Sequence, residues 1–390
     1  VMFIEVSNDD DALPADFYRE TVELSPDYAG VPLDEAERDY RRRIDLYKSF
    51  YEPLDLNSED PVESKWTYLK CNHQDQDFVV HHVKGYLQQK VVNFIMNMRT
   101  TSHAFYLSRH GQSEYNALQR IGGDSGLTEE GKCYAEALSS FVSTHIIKDA
   151  HGKDVPARLW TSTMRRTVET AQFIPQTTLM IKSQDDMQLE YEWIQMRGRA
   201  WHHLDELFAG ACDGMTYEEI EEKYPEEWAR RQQDKLAYRY PRGESYLDVI
   251  ARLEPIIIEM ERHEEPLLII AHQGILRIIY AFYKGLSRAE APSVNIKLNT
   301  VIELEPAAYG CKETNHLIYT PDVSLSIDGQ QEVSPVSAAS SPLAASSSAA
   351  ARATSRPTSP LIPSSPLANT SPVSSSLKKK YFFNDDPQSH

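Results

Sequence analysis

Two segments of this 390-residue sequence carry the side chains that phosphoryl transfer needs. Arg109 and His110 are adjacent in the first segment, and His272 is followed by Arg277 in the second. A neutral imidazole can attack phosphorus, and guanidinium groups bind phosphate oxygens and offset the charge that develops during transfer. Since a single histidine after a strand is more often a hydrogen-bonded structural residue, the interpretation depends on the whole set.

A third segment adds further groups of the same kind. Ser162 stands shortly before Arg166, and Asn116 follows the first histidine. The loops also hold glycines that would let backbone N–H groups approach an anion closely: Gly111, Gly122 and Gly123. The combination of imidazole, guanidinium and polar neutral groups favours a phosphoryl-transfer site.

Each of the three segments follows a short apolar run that is typical of a buried strand. The runs cover 104–108, 158–162 and 266–271, and a stretch with helical periodicity comes after each. Thr128 is predicted to begin the helix after the first strand. The alternation predicts an α/β layer fold over about 104–317. Because ligands bind beyond the carboxyl ends of parallel strands, we expect the three segments to meet at one site.

The composition is that of an ordinary globular protein. Hydrophobic residues make up 41% and charged residues 25%, and no apolar run approaches the length of a membrane span. The four cysteines form no C-x-x-C pair and no secretory signal opens the sequence, so we expect a cytoplasmic protein with reduced thiols. The histidine pairs are adjacent rather than metal-spaced, and no metal is predicted.

The net charge of −18 disfavours nucleic acid and anionic membranes as partners, because both would be repelled at long range. A small anionic substrate therefore requires a local concentration of basic residues. Arg231, Lys235 and Arg239 recur at helical spacing, which predicts a shared basic face on one helix. Surface solvation is the alternative for that face.

The strings "LSRHGQSEYN", "WTSTMRRTVETA" and "AHQGILR" resemble the signature of the histidine phosphatase superfamily, also called phosphoglycerate-mutase-like. Over about 104–317, longer strings such as "LDELFAGACDGMTYEEIEEKYPEEW" resemble the bisphosphatase domain of the 6-phosphofructo-2-kinase/fructose-2,6-bisphosphatase family. The resemblance implies a three-layer α/β/α domain with a mostly parallel sheet. It also implies hydrolysis of fructose 2,6-bisphosphate, a sugar bisphosphate that controls glycolysis and gluconeogenesis, through a phosphohistidine and without a cofactor.

The resemblance also implies roles for individual residues. His110 matches the nucleophile, His272 the second histidine that contacts phosphate, and Glu206 the proton donor that later acts as base. The matching substrate-binding positions are Arg109, Asn116, Gly122, Arg166, Tyr217, Arg231, Lys235, Tyr246, Gln273 and Arg277.

The sequence departs from the family pattern near these positions. Phe208 stands where the family usually has a small acidic residue, Gly274 replaces a commoner Ala, and Asn299 replaces a usual His. The stretch before Glu206 is also expanded. Among these departures, Phe208 is expected to shift Glu206 and alter the rate.

The first hundred residues resemble the last part of the kinase domain of the same family, through strings such as "FIEVSNDDD" and "RRRIDLYKSFYEPLD". Arg43 and Tyr47 match residues that contact fructose 6-phosphate in that kinase. The string at 126–133 is the nearest to a phosphate-binding P-loop, but it ends in Cys133, where Mg²⁺ needs a hydroxyl. We therefore expect residues 1–99 to be the C-terminal fragment of a P-loop kinase domain without ATP-dependent activity.

Residues 100–320 are expected to form the phosphatase domain and 321–390 a tail. Ser, Ala and Pro dominate 332–376, a composition that predicts disorder. Its Ser-Pro repeats leave open phosphorylation by a proline-directed kinase, with a solvated linker as the favoured interpretation.

Two other functions stay open from the sequence. One is a histidine phosphatase or mutase acting on a different phosphate ester, and the other is a catalytically idle module with a regulatory role. The sequence does not determine the oligomeric state, and a homodimer is one alternative.

Overall fold

The structure is a computed structural model that describes residues 1–7, 15–55, 60, 62–72, 77–98, 103–149, 151–182, 189–307 and 310–321. The predicted disordered tail, apart from residue 321, lies outside the described residues, as does the predicted domain boundary at 99 and 100. In the described part of the chain, the search for membrane-spanning helices found none of sufficient length and apolarity.

The N-terminal part of the chain contributes a small sheet and three described helices. Its elements are β1 (Phe3–Ser7), α1 (Ala15–Leu24), α2 (Leu33–Lys48), β2 (Tyr68–Asn72), β3 (Asp77–His81) and α3 (Tyr86–Asn97). The central strand β2 pairs with β1 in parallel and with β3 antiparallel. The apolar residues at 3–6 predict a strand, and the stretch 79–98 predicts a strand followed by a helix; both predictions are confirmed. The amphipathic pattern of 33–51 predicts a helix over that range, and the observed helix α2 ends three residues earlier, at Lys48.

The following part of the chain alternates strands with helices. Its elements are β4 (Phe105–Arg109), α4 (Glu114–Ala117), α5 (Glu129–Phe141), β5 (Arg158–Thr161), α6 (Arg165–Ala171), β6 (Thr178–Lys182), β7 (Glu190–Ile194), β8 (Gly198–Ala200), α7 (Tyr217–Lys223), α8 (Pro225–Gln233), α9 (Tyr246–Arg262), β9 (Leu267–Ala271), α10 (Gln273–Lys284), β10 (Thr300–Ala307) and β11 (Gly310–Leu317). The three strands expected from the sequence are β4, β5 and β9, each within one residue of its predicted bounds.

The main sheet has six strands in the order β11-β10-β4-β9-β5-β8. Its strands β4, β9, β5 and β8 are parallel, whereas β10 runs antiparallel to β4 and to β11. The mostly parallel sheet is therefore confirmed. The expanded stretch before Glu206 includes β7, which pairs antiparallel with β6 in a separate two-stranded sheet, and β8, which joins the main sheet. The sequence did not predict these strands.

Side chains alternate between the two faces of the sheet. Phe105 and Ile269 pack on one face with α9 and α10, whereas Tyr106 and Ile270 pack on the other with α5. Both faces of β9 are covered, and all of its residues are fully buried. A strand covered on both faces needs apolar residues throughout, which accounts for the continuous run at 267–271. The three-layer α/β/α arrangement is confirmed.

The two helices that follow β4 begin at residues whose side chains cap them. Thr128 accepts a hydrogen bond from the Gly131 N–H at the start of α5, as expected, and Ser113 caps α4. Between β9 and α10 the connection is the single residue His272. Such short connections leave the polar residues of the loops at the carboxyl ends of the strands.

The loop after β4 lies in tight contact with the start of α5. A Cβ atom on Gly111 would lie 2.4 Å from the carbonyl oxygen of Gly131 and 2.9 Å from its Cα. A Cβ atom on Gly131 would in turn lie 2.2 Å from the carbonyl oxygen of Gln112. Because both contacts are with backbone, neither can be relieved by rotating a side chain.

Gly111→Ala is therefore expected to lower the free energy of unfolding by about 1–3 kcal/mol, the usual cost of overpacking. Gly198→Ala is the matched control, since nothing lies within 4 Å of a Cβ atom there, and it should change stability by less than about 0.5 kcal/mol. Urea unfolding followed by circular dichroism measures both. Equal stability of the two variants would contradict the close packing of this loop.

Candidate active site

A cavity of about 180 Å³ opens at the carboxyl ends of β4, β9 and β5. Its wall includes residues from all three sequence segments and from the chain between β8 and β9. The predicted site residues on this wall are Arg109, His110, Asn116, Gly122, Arg166, Glu206, Tyr217, Arg231, Lys235, Tyr246, Gln273 and Arg277. The fold therefore brings together groups that are up to 168 positions apart in the sequence, counted from Arg109 to Arg277.

The imidazole of His110 is buried and held in one tautomer. Its Nδ1 lies 2.7 Å from the carbonyl oxygen of Gly111. Since a carbonyl oxygen only accepts, Nδ1 carries the hydrogen and Nε2 keeps its lone pair. That lone pair accepts a hydrogen bond of 3.2 Å from Nε of Arg166. Burial lowers the pKa of His110 well below its usual value, and the charge of Arg166 lowers it further. The side chain is therefore a neutral imidazole with Nε2 available for attack.

Two arginines flank His110. Arg166 is only 4% exposed, and its guanidinium also donates to the carbonyl oxygen of Gly123 at 2.7 Å. Arg109 donates to the carbonyl oxygen of Ile296 at 2.9 Å, and its buried Nε has no hydrogen-bond partner among the described residues. Burial lowers the pKa of Arg109 to about 10. Both groups remain cationic at neutral pH and can bind an anion beside His110.

His272 lies beside His110, with the two ring centroids 5.1 Å apart, but it is not on the cavity wall. Its Nε2 is 2.8 Å from the hydroxyl of Ser162. Its Nδ1 is buried and has no hydrogen-bond partner within the described part of the chain. Burial holds the pKa of His272 well below the usual value, with a smaller effect from Arg166. The ring is therefore neutral.

Glu206 lies in an irregular segment and lines the same cavity as His110. Its Oε1 accepts a hydrogen bond of 2.9 Å from the N–H of Leu207. The carboxylate lies over the start of α10, where Oε2 is 3.5 Å from the N–H of Gly274. A Cβ atom on residue 274 would lie 2.5 Å from Oε1, so the space that an Ala would fill is taken by the carboxylate. The replacement of Ala by Gly at this position thus affects where Glu206 lies.

The two neighbouring carboxylates that could compete with Glu206 are engaged elsewhere. Asp205 accepts hydrogen bonds from the backbone and hydroxyl of Thr163 at 2.7–2.8 Å. Asp213 accepts from the N–H of Gly123 through both oxygens at 3.1 Å. Neither lines the cavity, which leaves Glu206 and Glu244 as the carboxylates on the described wall.

Phe208 does not face the cavity. Its side chain is 51% exposed, and its backbone exchanges hydrogen bonds with Glu244. The expected displacement of Glu206 by Phe208 has no contact to support it in the structure.

A second group of cations lines the same cavity. Arg231 stacks on the ring of Tyr217, with its guanidinium carbon 4.9 Å from the ring centroid. Arg277 donates to the hydroxyl of Tyr246 at 3.1 Å, and Lys235 donates to the carbonyl oxygen of Pro292 at 2.8 Å. Burial lowers the pKa of Lys235 to about 8, and the charges of Arg277 and Arg231 contribute.

The expectation of a shared helical face for these cations is wrong. The helix α8 ends at Gln233, so Lys235 and Arg239 lie beyond it. Arg239 pairs with Asp248 and is absent from the cavity wall, whereas the fold still brings Arg231 and Lys235 together. Periodicity failed here because the backbone leaves the helical conformation at Asp234, whose ψ is 87°.

The wall also includes residues that were not predicted from the sequence, among them Arg120, Tyr238, Tyr240 and Glu244. Three of them lie within the segment 238–244, which resembles the family closely. Local spacing does not show which side chains of such an irregular segment face a cavity.

The residues matched to the kinase site lie elsewhere. Arg43 donates to the hydroxyl of Tyr28 at 3.2 Å, and Tyr47 is 48% exposed. Neither lines the cavity. Among the described residues, no group of three or more His, Cys, Asp or Glu side chains is arranged to hold a metal ion.

Comparisons with known proteins agree with this geometry. Residues 105–316 match the family model of the histidine phosphatase superfamily, branch 1, and residues 1–102 match that of 6-phosphofructo-2-kinase. The chain is 40% identical to the 6-phosphofructo-2-kinase/fructose-2,6-bisphosphatase of Gallus gallus over 80% of this chain and 60% of the relative. It is 39% identical to the fructose-2,6-bisphosphatase of Saccharomyces cerevisiae over 88% of this chain and 69% of the relative.

The chain thus spans about 60% of the length of the chicken relative and 69% of the yeast relative. Among solved structures it is similar to the alpha-ribazole phosphatase of Shigella flexneri, with 18% identity, a TM-score of 0.42 and coverage of 53% of this chain and 93% of the other.

On the family models and the curated relatives, the chain belongs to the histidine phosphatase superfamily, in the family of 6-phosphofructo-2-kinase/fructose-2,6-bisphosphatases.

Proposed function

We propose that this protein hydrolyses fructose 2,6-bisphosphate to fructose 6-phosphate and inorganic phosphate through a phosphohistidine at His110. The observation that carries the proposal is the tautomer of His110. Its Nδ1–H is bound by the Gly111 carbonyl, and the lone pair of Nε2 lies beside Arg166 on the wall of a cationic cavity.

In the first step, Nε2 of His110 attacks the phosphorus of the 2-phosphate, and the bond between phosphorus and the sugar oxygen breaks. Arg166 shifts its hydrogen bond from Nε2 to a phosphate oxygen, and Arg109 offsets charge on the same group. Glu206, in its protonated form, donates a proton to the leaving sugar oxygen. The products of this step are fructose 6-phosphate and phosphohistidine.

In the second step, water attacks the phosphorus and His110 leaves as a neutral imidazole. Glu206 is now ionised and accepts a proton from the water, which restores the starting state. The proposal gives His272, whose ring lies 5.1 Å from that of His110 but does not line the cavity, a contact with the phosphate through its buried Nδ1, which has no partner among the described residues.

The second group of cations favours a bisphosphate over a monophosphate ester. Arg231, Lys235 and Arg277 line the same cavity as His110 but are held by different elements. They would bind the 6-phosphate while the histidines act on the 2-phosphate. A catalytically idle module would not need a neutral histidine, two flanking arginines and a carboxylate to remain on one wall.

The small sugar bisphosphate is thus the proposed partner of this site, and the cytoplasm is the proposed location. The domain organisation is proposed as a kinase fragment over 1–99, the phosphatase over 100–320 and a tail over 321–390.

His110→Ala should abolish the covalent intermediate, because no other nucleophile on the wall has this geometry. Substrate labelled at the 2-phosphate, followed by an alkaline quench, should give acid-labile phosphoprotein in the parent chain. His151→Ala, at an exposed histidine, should retain the label. Labelled His110→Ala protein would show that the nucleophile is assigned wrongly.

Glu206→Gln should lower kcat by about 10² to 10⁴ while KM changes little, since the amide keeps the shape but cannot exchange the proton. Glu221→Gln, at an exposed carboxylate, is the control and should keep the parental rate. Steady-state kinetics at saturating substrate measures the effect. A Glu206→Gln variant near the parental rate would mean that this carboxylate is not the acid and base.

The pH dependence of KM should report Lys235. Its pKa is lowered to about 8, so the ammonium is charged below that pH and loses its charge as the pH rises through it. KM should therefore increase by up to about tenfold per pH unit above 8. In Lys235→Met, KM should be higher at pH 7 and change less between pH 7 and 9. A parallel increase in both proteins would exclude Lys235 as its source.

A further inference from the structure

We propose that Arg252 is the positioning residue for Glu206: its guanidinium holds the irregular segment that carries this carboxylate. The inference rests on the proposed function, in which Glu206 is the acid and base. Arg252 itself does not line the cavity and touches no reacting atom. Its effect on the reaction would pass through the backbone of residues 203–206.

The guanidinium contacts three backbone carbonyl oxygens of that segment. Arg252 donates through Nη1 to the carbonyl oxygen of His203 at 2.5 Å. Its Nη2 donates to the carbonyl oxygen of Asp205 at 2.8 Å and lies 3.4 Å from that of Glu206. After a short turn that ends at Leu204, the segment has no helix or strand of its own. The side chain from α9 therefore supplies hydrogen bonds that regular structure would otherwise provide.

Glu244 fixes the guanidinium from the other side. Arg252 forms a bidentate ion pair with Glu244, through Nε to Oε1 at 2.9 Å and through Nη2 to Oε2 at 3.0 Å. The Oε2 atom of Glu244 also accepts from the N–H of Phe208 at 3.1 Å, and the Glu244 N–H donates to the Phe208 carbonyl at 2.8 Å. Residues on both sides of Glu206 are thus bound to one ion pair.

The side chain of Glu206 has little freedom to compensate for a shift of its backbone. Its carboxylate accepts from the neighbouring N–H of Leu207 and lies in the space beside Gly274. A displacement of about 1 Å at a reacting group can cost about 10²-fold in rate. Holding the backbone in place should therefore matter for kcat more than for substrate binding.

Lysine is not equivalent to arginine at this position. All three nitrogens of the Arg252 guanidinium are in use, on two carbonyl oxygens within 2.8 Å and on both oxygens of one carboxylate. A single ammonium is a point charge on a flexible chain and cannot satisfy these directions together. The variant Arg252→Lys keeps the charge but not the hydrogen-bond geometry, so it shows which of the two is needed for catalysis.

The test is a double-mutant cycle on kcat and KM for fructose 2,6-bisphosphate. Arg252→Met should lower kcat by about 10- to 100-fold with KM within about threefold, and Arg252→Lys should recover only a small part of the loss. In a Glu206→Gln background, where the acid and base is already absent, Arg252→Met should change kcat by less than about twofold.

Arg158→Met is the matched control. Arg158 forms a similar bidentate ion pair with Glu265, at 2.9 and 3.1 Å, and its side chain is partly exposed like that of Arg252. It lines a different cavity, away from the segment of Glu206. It should leave kcat unchanged in both backgrounds. If Arg252→Met does not fold, Glu244→Gln, which removes the anchor of the guanidinium, takes its place in the same cycle.

Equal losses of kcat from Arg252→Met with and without Glu206 would overturn the inference, because the residue would then act on stability or on other groups. Full recovery by Arg252→Lys would also overturn it, since charge alone would suffice. A parental rate in Glu206→Gln itself has a different meaning: it would overturn the proposed role of Glu206 and this inference with it.

Discussion

The parallel pairing of β4 and β5 with the central strand β9 is the constraint on which the site depends. In this register Arg109 lies opposite Ala271, and Thr161 lies opposite Ile270, so three strands end at the same level. The residues that come next are His110, His272 and Ser162. Because β9 is covered on both faces and fully buried, the strands cannot slip without moving apolar side chains out of the core. The hydrophobic core thus sets the distance between the two histidines.

Burial then determines the chemistry of these groups. In water, a histidine would still be partly protonated at neutral pH, since its usual pKa is about 6.5. Here the loss of solvent lowers the pKa of His110 and His272 well below the usual value, and the arginine charges act in the same direction. The same burial leaves Arg109 and Arg166 charged, since their pKa values start far higher. An acidic chain of net charge −18 can therefore hold a local anion site with a neutral nucleophile.

The proposed acid and base, Glu206, comes from a different kind of structure. Glu206 lies after β8 in an irregular segment, where tertiary hydrogen bonds from α9 replace those of a sheet or helix. The proposed nucleophile, His110, therefore follows a strand of the main sheet, whereas the carboxylate lies on a segment that must be held separately. The family membership shows that chains of this kind carry the histidine phosphatase fold, and the arrangement of Arg252 and Glu244 shows how this chain fixes the less regular half of its site.

The sequence by itself determined the three buried strands and the start of α5 at Thr128, because both depend on local periodicity. It also determined the set of histidines and arginines that follows the strands, because these residues lie at short spacings from the strand ends. It did not determine the β6–β7 hairpin, the antiparallel β10 and β11, or the end of α8 before Lys235. It also gave no sign of the His110 tautomer or of the contact between Arg252 and the segment of Glu206. The tautomer of His110 is set by the carbonyl oxygen of its neighbour Gly111, in a loop whose conformation no periodicity predicts. The contacts of Arg252 join residues 46 to 49 positions apart, and the contact of Arg166 with His110 joins residues 56 positions apart. Only the folded chain brings such groups within reach, since the energy of each contact depends on packing that no local pattern encodes.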